Sequence, residues 1–191
     1  MIDHFDLLAP IYEWALHRPS PRRLKRLLRL PAHGRLLDIG GGTGRVAGAL
    51  AGLIDTTVVG DLSRPMLRQA QRKSGQSLHP VATQSEALPF PDGTFHRALV
   101  VDALHHFIDQ RRTIAELARV LRPDGILVVE EPDVSRRIIR GVARTEQLFR
   151  MRSQFHPPPV IAEMMTAAGF SARIAERDRF RAWIVGELTR T

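Results

Sequence analysis

The chain has 191 residues, is 43% hydrophobic and 25% charged, contains no Cys, and carries a formal charge of +8 at pH 7. This is the size of one globular domain with a buried core, and the near-average composition excludes collagen-like, fibrous and wholly disordered classes. The lack of Cys excludes disulfide scaffolds, cysteine-ligated zinc, iron–sulfur clusters and a cysteine nucleophile, and no apolar run reaches the ~18 residues of a membrane-spanning helix.

In chain order, Phe5 to Leu16 has helical apolar spacing, with Asp3 and Asp6 ahead of it where a secretory signal would be basic. A cytoplasmic location is the expectation. Pro21 to Leu30 is an amphipathic basic helix with Leu24, Leu27 and Leu28 on its apolar side. From Arg35 onward, short β-rich runs alternate with helical ones. Strands are expected at 35–39, 56–61, 77–82, 95–102 and 126–131, with Arg122-Pro-Asp-Gly125 as a turn into the fifth. Helices are expected over Arg45–Leu53, after an N-cap at Ser63, over Arg111–Leu121, over Arg136–Arg152 and over Val160–Ala168, stopped by Gly169. Two strands, roughly 171–177 and 181–188, close the chain. Apolar strands alternating with helices imply parallel pairing with helices on both faces, and ligands on such sheets bind at the carboxyl ends of the strands.

The first such end carries Asp38-Ile-Gly40-Gly41-Gly42-Thr-Gly44, and Asp61 ends the next strand 23 residues after Asp38. Glycines allow a tight turn and close approach of a ligand, and an acid at the second position accepts from ribose hydroxyls. A nicotinamide fingerprint needs Gly at position 45, where Arg stands, and Asp38 would repel a pyrophosphate docking on the helix N-terminus. S-adenosylmethionine has an ammonium, a sulfonium, free ribose hydroxyls and no phosphate, so it suits both acids. There is no GxxxxGK[ST] phosphate loop.

The runs FDLLAPIYEW, LLDIGGGTGRVAGAL, VVGDLSRPMLRQAQ, SEALPFPDGTFHRALVVDALHHF and ELARVLRPDGILVVEE cover most of the chain. With these it resembles class I S-adenosylmethionine-dependent methyltransferases, within them the ubiquinone/menaquinone-biosynthesis group. The resemblance implies an α/β, Rossmann-like three-layer sandwich around a seven-stranded, mostly parallel sheet with a reversed last strand. It implies one domain over 1–191: N-terminal helices in 1–30, a cofactor-binding core over 35–131, a substrate cap over 132–160, and the last helix and closing strands over 161–191. It further implies that Asp38, Gly40, Gly41, Gly42 and Gly44 hold the methionine part of the cofactor, and that Asp61 holds the ribose. Leu62 and Met66 would pack the adenine, with Gln84, Ser85 and Glu86 lining its other side, and Tyr12 would close over the cofactor. Two positions depart from the family pattern: Gln84 and His96 each stand where an Asp is usual.

Methyl transfer from a sulfonium needs alignment and a dry site, with an acid–base group only if the acceptor must lose a proton. His105 and His106, after the fourth strand, are the candidate bases, the family pattern favouring His106. Asp102 would orient a His, hydrogen-bond the cofactor or cap the loop. Ile138, Val142, Phe149 and Met151 would line an acceptor pocket or simply pack. The reading is transfer to a small, quinol-like, lipophilic or aromatic acceptor, leaving S-adenosylhomocysteine, with no metal. RNA or protein methylation on the Arg-rich surface, and a non-catalytic cofactor-binding role, are the alternatives. Against nucleic acid stand Asp-Ala-Leu-His, where amino-methylating enzymes carry a Pro-Pro-aromatic motif, and an aromatic content of 6%. The arginines of helix 21–30 suggest peripheral contact with an anionic membrane.

Overall fold

The computed structural model describes residues 20–73, 78–136 and 153–189. Tyr12, the first helix, and the Arg136–Arg152 helix with Ile138, Val142, Phe149 and Met151 lie outside the described residues, Arg136 apart. The elements are α1 (Pro21–Leu27), β1 (Arg35–Ile39), α2 (Arg45–Leu50), β2 (Thr56–Asp61), α3 (Arg64–Lys73), β3 (Leu78–Ala82) and β4 (Phe95–Val101), then α4 (Gln110–Val120), β5 (Leu121–Pro132), α5 (Pro158–Ala167), β6 (Phe170–Arg177) and β7 (Arg181–Leu188).

The seven strands form one sheet in the order β3-β2-β1-β4-β5-β7-β6. All inner pairings are parallel except those made by β7, which runs antiparallel to both β5 and β6. The expected sandwich with a reversed last strand is therefore the fold. Pro80 is accommodated because β3 is an edge strand. The twofold period of the strands divides the core. Leu37, Ala98, Val100, Leu127 and Val129 face α4 and α5, whereas Leu36, Leu99, Ile126 and Val128 face Leu24 and Leu28 of α1. Leu24 and Leu28 are fully buried there, a transfer worth roughly 1.5–3 kcal/mol each.

Local signals are read out at the helix ends. Ser63 Oγ accepts from Met66 N at 3.4 Å at the start of α3, and Gly169 follows α5 with φ +96°. Three boundaries differ from the expectation by three residues or more. Helix α1 stops at Leu27, with Arg29 in the left-handed region at φ 54°. Helix α2 ends at Leu50, because Ala51 turns to extended backbone. The expected turn at 122–125 is a bulge within β5: Phe95 pairs with Leu121 and Arg97 already with Ile126, so Arg122 to Gly125 loop outward.

The basic face of α1 is not a bare patch. Arg23 Nε lies 2.8 Å from Glu176 Oε2, its guanidinium 3.9 Å above the Trp183 ring, and Arg26 pairs with the same glutamate. Arg29 Nη2 reaches Glu187 Oε2 at 2.7 Å. Three of the four arginines expected to meet a membrane are thus occupied by carboxylates of β6 and β7.

Candidate active site

At the carboxyl ends of β1 and β2 the glycine loop folds back on the sheet, with Gly40 N donating to Gly60 O at 2.8 Å. Gly40, Gly42 and Gly44 all take positive φ, 70°, 53° and 67°. Space also demands glycine: a Cβ on Gly40 would stand 2.5 Å from Ala103 Cβ, and one on Gly41 2.7 Å from the Asp38 carboxylate. Asp61 ties the loop down. Its Oδ2 accepts from Gly42 N and its Oδ1 from Ser63 N, each at 2.8 Å, which leaves both oxygens further lone pairs.

Asp38 is only 1% exposed, and its Oδ2 has no hydrogen-bond partner. Burial, then the negative charge of Asp61, push its carboxyl up to about 7, against a backbone N–H bond from Ala47. An orphaned buried oxygen beside a cradle that any Cβ would fill matches a ligand with a cationic head, and the residues present fit S-adenosylmethionine. Leu62, next to Asp61, is 67% exposed despite its apolar side chain, with Met66 half-buried one helical turn on.

On the other side, Gln84 is exposed, while Ser85 and Glu86 are committed within the fold. Ser85 Oγ accepts from Thr113 Oγ1 and donates to Glu86 Oε2, both at 3.0 Å. Glu86 Oε1 accepts from Ile108 N and Asp109 N, at 3.1 and 3.2 Å. These side chains hold the loop after β3 against the start of α4; of the three, Gln84 alone remains exposed to a ligand.

The loop after β4 packs on the glycine loop through Ala103 and Phe107, so Asp38 and the two histidines share one end of the sheet. Asp102 takes a left-handed φ of 55°, donates its N–H to Glu130 O at 2.8 Å and pairs with Arg181 Nη2 at 3.3 Å. His105 is buried, its Nδ1 2.6 Å from Glu131 Oε2. Glu131 Oε1 accepts from Ala103 N and Leu104 N, at 3.0 and 2.8 Å. That is the pattern of an ionised acceptor, so Nδ1 carries the proton and donates. Phe155 stacks on the His105 ring at 4.3 Å, and Gln154 N donates to His105 O at 2.8 Å, drawing residues 153–156 over the loop.

His106 has its ring 4.0 Å from that of His105 and its Nδ1 3.3 Å from Ser153 Oγ. The residue keeps an exposed surface; desolvation by the groups around it, and then His105, lower its pKa, with Asp102 working the other way. His105 thus contacts a carboxylate, while the pattern of motifs favours His106 as the base. Glu131 itself escaped the sequence reading. The signal available was its place as the last acid of ILVVEE, at a strand's carboxyl end. Beside it, Glu130 accepts from Arg181 Nη1 at 3.0 Å and Trp183 Nε1 at 2.9 Å. Burial pushes its carboxyl up, opposed by Arg181.

This geometry agrees with what the chain is similar to. The methyltransferase domain family matches residues 37–129. A demethylmenaquinone methyltransferase of Thermus thermophilus is 31% identical over 195 residues, covering 88% of this chain and 89% of its own. The O-methyltransferase cnsE of Penicillium expansum is 31% identical over 158 residues, covering 73% of this chain, which spans only 53% of that longer relative. Among solved structures, the YcgJ protein of Bacillus subtilis superposes with a TM-score of 0.80 at 20% identity, over 92% of this chain and 100% of its own. The chain belongs to the class I S-adenosylmethionine-dependent methyltransferases, in the group of the ubiquinone/menaquinone-biosynthesis enzymes.

Proposed function

We propose that the chain methylates a small lipophilic or aromatic acceptor of the quinol type, with His105 as the proton acceptor and Glu131 as its positioning partner. The observation that carries this reading is the 2.6 Å His105–Glu131 contact beside the loop where one oxygen of Asp38 is left without a hydrogen-bond partner. Bound S-adenosylmethionine supplies an electrophilic methyl group on a sulfonium. Asp38 and the backbone of Gly40 to Gly44 receive its cationic amino-acid end, and the open lone pairs of Asp61 receive the ribose hydroxyls. Leu62 and Met66 offer the adenine an apolar surface, and Gln84 an amide at its edge.

Glu131 holds the proton on His105 Nδ1, which keeps the lone pair of the neutral ring on Nε2. That nitrogen would take the proton of an acceptor hydroxyl, or of the carbon acid it activates, while the bound sulfonium would supply the methyl group. Phe155, stacked on the ring, keeps water from this proton transfer. The similarity to a demethylmenaquinone methyltransferase supports a quinol acceptor, and that to an O-methyltransferase supports a hydroxyl as the nucleophile. The test is calorimetric titration with S-adenosylmethionine, followed by mass spectrometry of reduced naphthoquinones, phenols and RNA incubated with it. Methylated quinol or phenol that disappears in His105→Ala, with cofactor affinity retained, is the expected result. Methylated RNA with unmodified quinols overturns the acceptor class, and undiminished turnover in His105→Ala overturns the base.

A further inference from the structure

The amino-terminal ends of the strands, roughly 15 Å along the sheet from the glycine loop, gather a different set of groups. His96, the second residue of β4, packs directly on Gly34: a Cβ there would lie 2.3 Å from its Nδ1, so only glycine lets the ring sit where it does. In that position Nδ1 accepts from Arg35 N at 3.3 Å. A neutral imidazole has one lone pair, so the ring proton must sit on Nε2. Nε2 lies 3.2 Å from Arg122 Nη1, itself only a donor. Two donors therefore meet with no acceptor between them.

Among the described residues no carboxylate bonds to either donor, although Asp124 shares their cavity. Arg122 stands on the outward bulge of β5, and with Arg29, Arg97, Asp124 and Glu187 it lines a cavity of about 430 Å³ beside His96. Glu187 is engaged by Arg29, and Asp55 by Gly34 N at 2.8 Å. Arg97 donates to Leu28 O and His96 O, at 2.7 and 2.8 Å. Burial, then Arg122, Arg97 and Arg35, hold the His96 pKa below the usual imidazole value, with Asp55 opposing. Both Arg29 and Asp124, in the lining of the cavity, adopt left-handed backbone, at φ 54° and 62°. Strain of this kind is kept where a local arrangement repays it.

We propose that this edge of the sheet is an oxyanion site, where His96 Nε2–H and the Arg122 guanidinium converge on a phosphate group. A tetrahedral phosphate oxygen accepts from both donors at once and removes their conflict, and charge-assisted bonds of this type are the strong ones. The site is separate from the methyl-transfer centre and shares no residue with it. The phosphate can belong to a soluble phosphorylated molecule or to a lipid headgroup.

The test uses the whole chain, labelled with ¹⁵N, titrated with inorganic phosphate at pH 7 while chloride holds the ionic strength constant. The Arg35 backbone amide, which donates to His96, is the reporter, with calorimetry in parallel. A saturable shift is expected, weakened about tenfold in Arg122→Gln, which is about 1.4 kcal/mol. His96→Asp removes one of the two donors and sets a carboxylate beside Arg122, and is expected to abolish phosphate binding while the fold and S-adenosylmethionine affinity persist. A shift that does not saturate, or one identical in wild type and Arg122→Gln, reflects general screening and overturns the site. Vesicles of phosphatidylglycerol against phosphatidylcholine separate the sources. Arg122-dependent binding to the anionic vesicles assigns a headgroup, and binding of free phosphate without vesicle binding assigns a soluble ligand.

Discussion

His105 Nδ1 and Glu131 Oε2 stand 2.6 Å apart across the carboxyl ends of β4 and β5, and the remaining oxygen of Glu131 is held by two backbone N–H groups. The carboxylate is therefore fixed from three directions before it meets the ring, so ring orientation is set by backbone geometry rather than by side-chain packing alone. Glu131→Gln keeps the shape but turns an NH2 toward donors. We expect kcat for methyl transfer to fall by about 10²–10⁴ in His105→Ala and by somewhat less in Glu131→Gln. Cofactor affinity measured by calorimetry should change little in both. Loss of a low-field Nδ1 proton resonance in Glu131→Gln would report the broken pair directly, and retained kcat in both variants would remove proton transfer from the mechanism.

Asp38 predicts a pH-dependent affinity. Its carboxyl is pushed to about 7 in the ligand-free protein, so at pH 6 it is mostly protonated and a cationic ligand must displace that proton. Affinity for S-adenosylmethionine should rise with pH through about 7 and level off above it. Binding enthalpy at pH 6.5 should depend on the buffer's ionisation enthalpy, the mark of a released proton. Asp38→Asn should flatten both dependences.

The same residue carries a stability signature of opposite sense to an ordinary surface carboxylate. Its pKa is raised on folding, so the folded chain binds the extra proton between about 4 and 7, and stability falls as pH rises through that window. Asp38→Asn should stabilise the ligand-free protein by a few kcal/mol at pH 8 and progressively less toward pH 4, the difference changing by about 1.4 kcal/mol for each pH unit inside the window. Urea unfolding at the two pH values measures it.

Leu62, 67% exposed, costs the empty protein apolar surface in water and contributes little to its core. Leu62→Ala should leave the urea midpoint within about 0.5 kcal/mol of wild type. If adenine covers the side chain, cofactor affinity should weaken about tenfold, in line with the 1.5–3 kcal/mol or so that burying a leucine is worth. Unchanged affinity would put the adenine elsewhere.

Arg181 and Glu130 are a buried pair, Nη1 to Oε1 at 3.0 Å, with Trp183 on the second oxygen. Removing the arginine alone strands a buried carboxylate, so Arg181→Met should destabilise by about 3–5 kcal/mol. Adding Glu130→Gln should recover much of that loss, because the stranded charge is gone. Additive losses in the double variant would mean that the pair is not coupled.

Much of this protein was legible in the order of its residues. The twofold period of RLLDI and ILVVEE, the threefold-to-fourfold spacing of the helices, and the glycines after Ile39 are local properties, because hydrophobic periodicity and backbone freedom act within a few residues. With Asp38 and Asp61 at successive strand ends they determined the layered sheet and the kind of cofactor. What the tertiary structure alone decided was the partner of each charge. Glu131 reaches His105 across 26 positions, Arg29 reaches Glu187 across 158, and Arg122 meets His96 because β4 and β5 are adjacent and β5 bulges between them. Strand order and register settle such meetings. A charge acts over a few ångströms in space, whereas a sequence records only the distance along the chain.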